Sequence, residues 1–484
     1  MLKDHFRKHT LRRHLINSMS DSIDKVVKNN VCIGCGACAF VSRGKIKMEL
    51  NKFGEYEPKS LVQDLGKETK KLTVQVCPSL SPNLNENFLG KTLYNDGQKF
   101  DEHIGYYINC YGAYVKSSKI RNNSTSGGLG TWLGLKLLDL GLIDGVIHAK
   151  SINPKRHKGA LFSYGISVNA EEIKNGAKTR YHVMEMSEVL SKIKEGNKKY
   201  LFIGVPCFIK SLRRIQRLDN QIQTNIPFAA SLVCGHYKSI HWTNSLAWAV
   251  GIKPKDLKEF QYRTKSEKID PRAYVFRATS FGGVTIQKNS SKVIGGKFNA
   301  GAMMPNACNY CDDVVGETAD ITIGDAWLPR FDFNKSGTNL LIIRNTKLHE
   351  VILGGASNEE VILHKISHED AIKSQSGGFR QRREGLSYRL SIAKKENFWV
   401  PQKRIKAQQF KVSTLRKLIY RQRMKVSSIS RMSFAKALKL DNYRIYSRAL
   451  SREFLYLRIL EVASSFRKII TIRVKRLFLS LIKK

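Results

Sequence analysis

The stretch Tyr106-Tyr-Ile-Asn-Cys-Tyr-Gly-Ala-Tyr-Val115 is apolar and rich in residues that favour strands, so it predicts a β-strand. The polar loop Asn122-Asn-Ser-Thr-Ser-Gly-Gly128 follows, and after it the apolar residues of 129–140 recur at helical spacing. Gly141 ends this helix, and 146–149 return as a second strand. The order of strand, loop, helix and strand predicts an α/β domain with a parallel pair.

The same pattern recurs further along the chain. We expect a helix over 187–196, a buried strand over 200–203, a helix over 209–217 and a strand over 228–234. Two more strands are expected over 319–323 and 340–343. Segment 81–98 is rich in Asn, with Pro and Gly, and is interpreted as a linker. The composition shifts towards Lys, Arg and aliphatic residues beyond Pro401, where we place a boundary.

Eight of the nine cysteines fall into two groups of four. The first group begins with Cys32-Ile-Gly-Cys-Gly-Ala-Cys38 and is completed by Cys77, which precedes a proline. Three cysteines at two-residue intervals let one loop reach three corners of a cuboidal iron–sulfur cluster, and Cys77 would supply the fourth. The alternative is a zinc ribbon, which more usually has two paired C-x2-C knuckles.

The second group comes from three separate segments of the chain. Cys207 follows a predicted strand, Cys234 ends the next one, and Cys308-Asn-Tyr-Cys311 forms a C-x2-C pair. The carboxyl ends of two parallel strands can be neighbours, so these four thiols are candidates for a second cluster. Alternatively, Cys207 and Cys234 are ordinary buried residues. Cys110, the ninth cysteine, is expected in the core.

The loop Ser124-Thr-Ser-Gly-Gly128 stands at a predicted helix N-terminus. Glycine lets a phosphate approach the backbone, and free N–H groups, the helix dipole and the hydroxyls favour an anion. The alternative is a plain Ser/Gly loop that caps the helix. Two single-electron clusters usually serve a two-electron centre, and this loop is the candidate place for it.

The chain has 484 residues and a formal net charge of +43. The first thirty residues are polar and basic, without the apolar segment of a signal peptide, and no run of about eighteen apolar residues predicts a membrane span. Cysteine-rich chains without a leader suit a reducing compartment, so the expected location is the cytoplasm. Much of the positive charge lies near the two ends, before residue 31 and after residue 401.

Three kinds of partner could account for this charge: an anionic membrane, an acidic protein or a nucleic acid. Nucleic acid is the least favoured, because no zinc-finger, RRM or KH signature is present. Segment 466–484 predicts an imperfect basic amphipathic helix, which suits the cytoplasmic face of an anionic membrane. The alternatives are a helix that packs on the body or on an acidic partner.

Ten motifs, taken together and in order, make the chain resemble the coenzyme F-420 hydrogenase/dehydrogenase beta-subunit family, which includes 7-hydroxymethyl chlorophyll a reductase and bacterial members from polysaccharide gene neighbourhoods. The similarity covers about 31–383. The motifs are Cys32-Ile-Gly-Cys-Gly-Ala-Cys38, Ser124-Thr-Ser-Gly-Gly128, Leu142-Ile-Asp-Gly-Val146, Ala177-Lys-Thr-Arg-Tyr181, Gly204-Val-Pro-Cys207, Leu232-Val-Cys-Gly235, Tyr262-Arg-Thr-Lys265, Cys308-Asn-Tyr-Cys311, Ala319-Asp-Ile-Thr-Ile-Gly-Asp-Ala-Trp327 and Gly337-Thr-Asn339.

The resemblance implies two 4Fe–4S clusters and FAD. It assigns Cys32, Cys35, Cys38 and Cys77 to the first cluster and Cys207, Cys234, Cys308 and Cys311 to the second. The expected flavin contacts are Ser124, Ser126, Gly127, Gly128, Lys178 and Tyr181. Arg180, Arg263 and Lys265 are further candidates for phosphate contacts, and Asp325 is a candidate to bind a flavin or substrate hydroxyl.

The expected fold is α/β with α+β elements: a ferredoxin-like 4Fe–4S segment, a central flavin-binding body and a basic helical tail. The domains would be a basic extension (1–30), the cluster segment with its linker (31–98), the flavin-loop domain (99–185), the second-cluster domain (186–400) and the tail (401–484). The predicted function is an oxidoreductase that takes electrons from a ferredoxin-like donor and reduces an unidentified small organic acceptor, in polysaccharide biosynthesis or elsewhere. The alternatives are an electron-transfer subunit that serves a partner enzyme, and a nucleic-acid binder with a structural cluster.

Overall fold

The structure is a computed structural model that describes residues 22–265, 274–332 and 334–482, with side chains as far as residue 465. Its N-terminal part alternates short helices with two small hairpins. The elements here are α1 (Ile23–Lys28), α2 (Ala37–Val41), β1 (Ile46–Leu50), β2 (Tyr56–Ser60), α3 (Lys67–Val76), α4 (Glu86–Tyr94), β3 (Lys99–Asp101) and β4 (Gly105–Tyr107). Strands β1 and β2 pair with each other, as do β3 and β4.

The central part holds five strands of the larger sheet, a separate sheet of three strands and several helices. Its elements are β5 (Asn109–Val115), α5 (Ser118–Asn122), α6 (Leu129–Asp139), β6 (Gly145–Ser151), β7 (Phe162–Ser167), α7 (Ala170–Asn175), α8 (Ser187–Lys194), β8 (Tyr200–Gly204), α9 (Pro206–Gln216), α10 (Asn220–Asn225), β9 (Phe228–Leu232), α11 (Ile240–Trp248), β10 (Leu257–Gln261), β11 (Val275–Ser280) and β12 (Thr285–Asn289).

The remaining elements are strands of the same sheet and a series of helices. They are β13 (Ile321–Asp325), β14 (Asn339–Ile343), α12 (Thr346–Ser357), β15 (Val361–Ile366), α13 (His368–Ser374), α14 (Ser376–Arg382), α15 (Glu384–Lys395), α16 (Thr414–Lys439) and α17 (Tyr443–Ile482). No helix in the described ranges is both long and apolar enough to span a bilayer.

Eight strands form one mixed sheet in the order β15-β5-β14-β13-β9-β8-β6-β7. Its centre, β13-β9-β8-β6, is parallel, and the flanking pairs are antiparallel. The α/β prediction is therefore confirmed. Strands β5 and β6 run in the same direction but are not neighbours, because four strands that come later in the chain lie between them.

Side chains alternate across this sheet and feed two apolar cores. On one side Leu133 and Leu137 of α6 pack with Leu201 and Ile321. On the other side Phe202 packs with residues of α8 and α9. The two faces are thus covered by helices, as expected where the central strands are parallel.

The segment interpreted as a linker contains a helix, α4. Asn85 caps it, because the Asn85 side chain accepts a hydrogen bond from the Phe88 N–H, and Glu86 lies in the first turn. Leu89 and Tyr94 are buried, and the Tyr94 hydroxyl donates to the Thr318 carbonyl at 3.0 Å. The Asn residues that suggested a linker include the cap of this helix.

The region beyond Pro401 is helical, as predicted for the tail. Phe434 of α16 and Tyr446 of α17 are fully buried in the core that also contains Trp242 of α11 and Phe276 of β11. The change in composition thus coincides with helices that share an apolar core with the preceding body. Helix α17 continues to Ile482, but the side chains beyond residue 465, on which the amphipathic prediction rests, lie outside the described residues.

Candidate functional site

The first cysteine group lies on the loop between α1 and α2 and at the end of α3. Cys32, Cys35, Cys38 and Cys77 line one cavity of about 370 Å³, which is also lined by Met48 of β1 and Pro58 of β2. The Cys77 residue caps helix α3. The structure therefore brings together all four cysteines of this predicted group.

This loop depends on two glycines with left-handed backbone. The φ angles are +70° at Gly34 and +84° at Gly36. A Cβ atom at Gly34 would lie 2.6 Å from the Tyr56 carbonyl oxygen, and one at Gly36 would lie 2.9 Å from the Ser187 nitrogen. The loop is thereby pressed against β2 and the start of α8, and the Met186 N–H donates to the Cys35 carbonyl at 3.0 Å.

The second group gathers at the carboxyl end of the parallel strands. Cys207 follows β8 and lies in the first turn of α9, and Cys234 follows β9, the parallel neighbour of β8. Cys308 and Cys311 come from a short turn of the chain between β12 and β13. All four line a cavity of about 610 Å³. The sheet thus brings together residues that lie more than a hundred positions apart.

The two cavities adjoin each other. Ile33, Pro78 and Ser79 line both of them. Ser211 of α9 connects the two groups as well, because its hydroxyl lies 2.9 Å from the Cys207 carbonyl oxygen and 3.5 Å from the Cys35 Sγ. Any groups held in these cavities would be close neighbours.

Burial is the main influence on the pKa values of these thiols. Burial first, and then the neighbouring cysteines, raise the pKa of Cys77 to about 11 and that of Cys308 to about 12. The pKa values of Cys32, Cys38 and Cys207 are also raised by burial and then by neighbouring cysteines. The thiolate forms therefore need positive charge close by, which is what a bound metal supplies.

Each cysteine group also has one buried arginine against its backbone. Arg382 of α14 donates to the Cys234 and Gly235 carbonyls, both at 2.9 Å. Arg214 of α9 donates to the Cys77 carbonyl and, at 2.9 Å, to the Leu80 carbonyl. Sequence reasoning missed Arg382, Arg214 and Ser211, because they stand on ordinary helices and belong to no motif.

No set of three or more His, Cys, Asp or Glu side chains in the described part of the chain is arranged to hold a metal ion. The eight cysteines surround two cavities instead.

The predicted flavin loop connects α5 to α6 and is packed against the sheet. A Cβ atom at Gly127 would lie 2.7 Å from the Ala113 carbonyl oxygen of β5 and 2.9 Å from the Asn339 nitrogen of β14. Glycine is needed here for that close approach to the strands. Gly128 caps α6 with φ +88°, and Ser124 and Ser126 are buried.

Two segments that contain other predicted contacts meet this loop. The Thr125 and Thr179 hydroxyls are 3.0 Å apart, and the Lys265 ammonium donates to the Ser126 carbonyl at 2.8 Å. Burial first, and then the nearby charges of Arg121 and Arg263, lower the pKa of Lys265 to about 8. The pKa of Lys178 is lowered by burial and then by Arg180. A group of cations therefore stands beside the loop.

Arg180 has two donors that no described residue uses. Its Nε and Nη1 are buried and have no hydrogen-bond partner among the described residues. The guanidinium lies 4.9 Å from the centre of the Phe162 ring. Lys178, by contrast, donates to the Gln261 side chain at 3.2 Å.

Tyr181 and Asp325 have structural partners. The Tyr181 ring packs within 4.8–5.9 Å of the rings of Phe298, Tyr262 and Trp242. The Asp325 carboxylate pairs with Arg263 at 2.8 Å, at the end of β13. Cys110 is buried in the apolar core, as expected, and burial raises its pKa to about 12.

The sequence matches two family descriptions, one for each part of the coenzyme F-420 hydrogenase/dehydrogenase beta subunit. The description of the N-terminal part covers residues 110–191, and that of the C-terminal part covers residues 197–369. The chain belongs to the coenzyme F-420 hydrogenase/dehydrogenase beta-subunit family. The first cysteine group lies before the matched range, whereas the second group and the candidate flavin loop lie within it.

Two curated relatives are proteins of redox metabolism. The coenzyme F-420-dependent sulfite reductase of Methanocaldococcus jannaschii is 23% identical over 374 residues, which are 76% of this chain and 53% of the relative. The chain thus spans about half the length of that enzyme. The coenzyme F-420 hydrogenase subunit beta of Methanosarcina barkeri is 23% identical over 266 residues, which are 50% of this chain and 79% of the relative.

A solved structure is also similar to this chain. It is a chain of the F-420-reducing nickel–iron hydrogenase complex from Methanosarcina barkeri, with 18% identity and a TM-score of 0.45 over 61% of this chain and 96% of that one. The family match thus relates this chain to subunits of oxidoreductases.

Proposed function

We propose that the chain is an iron–sulfur flavoprotein oxidoreductase. Electrons would enter singly from a ferredoxin-like donor, pass through two 4Fe–4S clusters to FAD, and leave to a small organic acceptor. The observation that supports this most directly is that eight of nine cysteines line two adjoining cavities, four in each. A polysaccharide-related acceptor and a deazaflavin are both compatible with this proposal.

We infer clusters rather than single zinc ions, because no three of these side chains in the described part of the chain are arranged to hold one ion. A tetrahedral zinc ion with Zn–S bonds of about 2.3 Å brings its four sulfurs to within about 4 Å of one another. A cuboidal cluster is larger and keeps its four thiolates at separate corners. Each cavity has Cys residues on its wall and an arginine behind one of them, which would offset part of the negative charge of a thiolate-bound cluster.

The residues beside the Ser/Gly loop suit an anionic cofactor. FAD supplies a two-electron store between single-electron centres and an acceptor of electron pairs. The free donors of Arg180 and the ammonium of Lys178 would hold its pyrophosphate, next to Ser126 and Gly128. In this proposal Asp325 keeps Arg263 in place through their ion pair, and a direct role for Asp325 towards a ligand hydroxyl stays a prediction.

Metal and flavin analysis of protein purified without oxygen tests this proposal. We expect about eight iron and eight sulfide per chain, together with noncovalent FAD. The matched control is Cys110→Ala, which removes the core thiol and should leave the iron content unchanged. Protein that contains zinc and no iron would overturn the cluster assignment.

A substitution tests the flavin site separately. Arg180→Met keeps an unbranched stem and removes the cation, so it should lower flavin occupancy several-fold and leave iron unchanged. Arg156→Met, on an exposed arginine, is the control. Full flavin occupancy in Arg180→Met would show that the cofactor lies elsewhere. Reduction of a small acceptor by the purified protein alone would distinguish an enzyme from an electron-transfer subunit.

A further inference from the structure

Helix α17 has an exposed apolar face on the side opposite to its buried face. Tyr446, Leu450 and Leu457 point into the core. Leu455, Ile459 and Val462, which we call the α17 ridge, are spaced by four and three residues and so share the outer face. Their exposed fractions are 62%, 56% and 47%. A contiguous row of exposed aliphatic side chains on a charged protein marks an interaction surface.

The surroundings of the ridge are strongly cationic. Arg448, Arg452 and Arg458 on the same helix are exposed. Residues 402–484 contain 23 Lys and Arg but only three acidic residues.

Those three acidic residues are engaged by cations of the body or of α16. Asp441 pairs with Lys253 at 2.5 Å, Glu453 with Lys425 at 3.0 Å and Glu461 with Lys297 at 2.7 Å. The ridge therefore faces outwards among arginines, whereas the carboxylates of this region form ion pairs with lysines.

The sequence that follows the ridge is also rich in basic and aliphatic residues. Helix α17 has 40 residues, a length of about 60 Å at 1.5 Å per residue. In sequence, 466–484 adds seven Lys and Arg, several large aliphatic residues and no acidic residue.

We propose that the α17 ridge and its arginines dock the protein on an anionic membrane surface. The aliphatic side chains would enter the boundary between headgroups and acyl chains, and the arginines would contact lipid phosphates. A second copy of the chain is a poor occupant, because it would bring the same large positive charge against this one. This proposal is independent of the cofactors proposed above.

The test must keep α16 and α17, since a truncation after Gln402 would remove the core residues Phe434 and Tyr446. Full-length protein is therefore floated with vesicles of phosphatidylcholine alone or mixed with phosphatidylserine. We expect binding to the mixed vesicles only, and a decrease of at least tenfold when the salt concentration is raised from 0.1 to about 0.5 M.

Substitutions on the ridge make the test specific. The triple variant Leu455→Gln, Ile459→Gln, Val462→Gln should reduce flotation at least tenfold. The control is Val284→Gln, which changes a valine with the same 56% exposure as Ile459 at a site in the turn before β12. Unchanged thermal unfolding shows that the variants are folded. Equal flotation of ridge variant and wild type, or no flotation of the wild type, overturns the proposal; in the second case an acidic protein becomes the occupant to seek.

Discussion

The two cysteine groups reach similar arrangements by different routes. In the first, three of four cysteines lie within seven residues, and two left-handed glycines shape the loop that carries them. In the second, the cysteines come from three segments, and only the parallel pairing of β8 and β9 makes Cys207 and Cys234 neighbours. The first group is a property of a local sequence, whereas the second is a property of the fold.

The largest expected effect comes from removing one thiol from each group. Cys35→Ser should abolish the signal of one cluster and Cys308→Ser that of the other, so that each variant keeps about half of its iron. Electron paramagnetic resonance of the reduced proteins distinguishes the two signals. Loss of all iron in both variants would mean that the two groups do not hold independent clusters.

This contrast explains how much of the molecule the sequence predicts. The strands β8, β9, β13 and β14 are recognisable from short apolar runs, and the helix α6 from its periodicity. The order of the strands in the sheet cannot be recognised in this way. Between β5 and β6 lie β14, β13, β9 and β8, which are placed there by contacts that no local pattern encodes. Helix α4 is also missed by sequence reasoning, since its Asn cap looks like a loop residue.

Arg382 provides the next test. Arg382 is 2% exposed, and its guanidinium donates to the Cys234 carbonyl beside the second cavity. A buried cation stabilises the more negative, reduced form of a cluster, so Arg382→Met should lower the potential of the second cluster, on the order of 60 mV, the one-electron equivalent of 1.4 kcal/mol. A redox titration followed by paramagnetic resonance measures this.

Arg214→Met is the matched variant for the first group, and it should lower the potential of the first cluster instead. Equal shifts of both potentials in either variant would indicate a general loosening of the protein rather than a local charge effect. These residues could not be predicted as site residues, because an arginine on a helix is usually exposed, and only the fold reveals that both are buried.

Glycine substitutions test the local character of the first group. Gly34→Ala should destabilise the loop by about 1–2 kcal/mol from the left-handed backbone alone, and the new Cβ would meet the Tyr56 carbonyl oxygen at 2.6 Å. Gly235→Ala, next to Cys234, has no left-handed φ and meets only a Phe298 ring atom, at 3.2 Å. The temperature of thermal unfolding and the cluster signals should change in Gly34→Ala and not in Gly235→Ala. A Gly34→Ala protein with both clusters and wild-type stability would contradict the local origin of that site.

The smallest expected effect concerns Ser211, where the two groups meet. Its hydroxyl has one proton and two acceptors, the Cys207 carbonyl and the Cys35 sulfur. The shorter bond to the carbonyl competes with the one to sulfur, so only part of its donor strength reaches Cys35. Since hydrogen bonds to cluster sulfurs raise the potential, Ser211→Ala should lower the first cluster's potential by on the order of 20 mV, equivalent to about 0.5 kcal/mol. Ser245→Ala, which removes another buried helix serine that donates to a carbonyl, should change neither potential. A larger shift in the second cluster than in the first would mean that Ser211 acts through the Cys207 backbone instead.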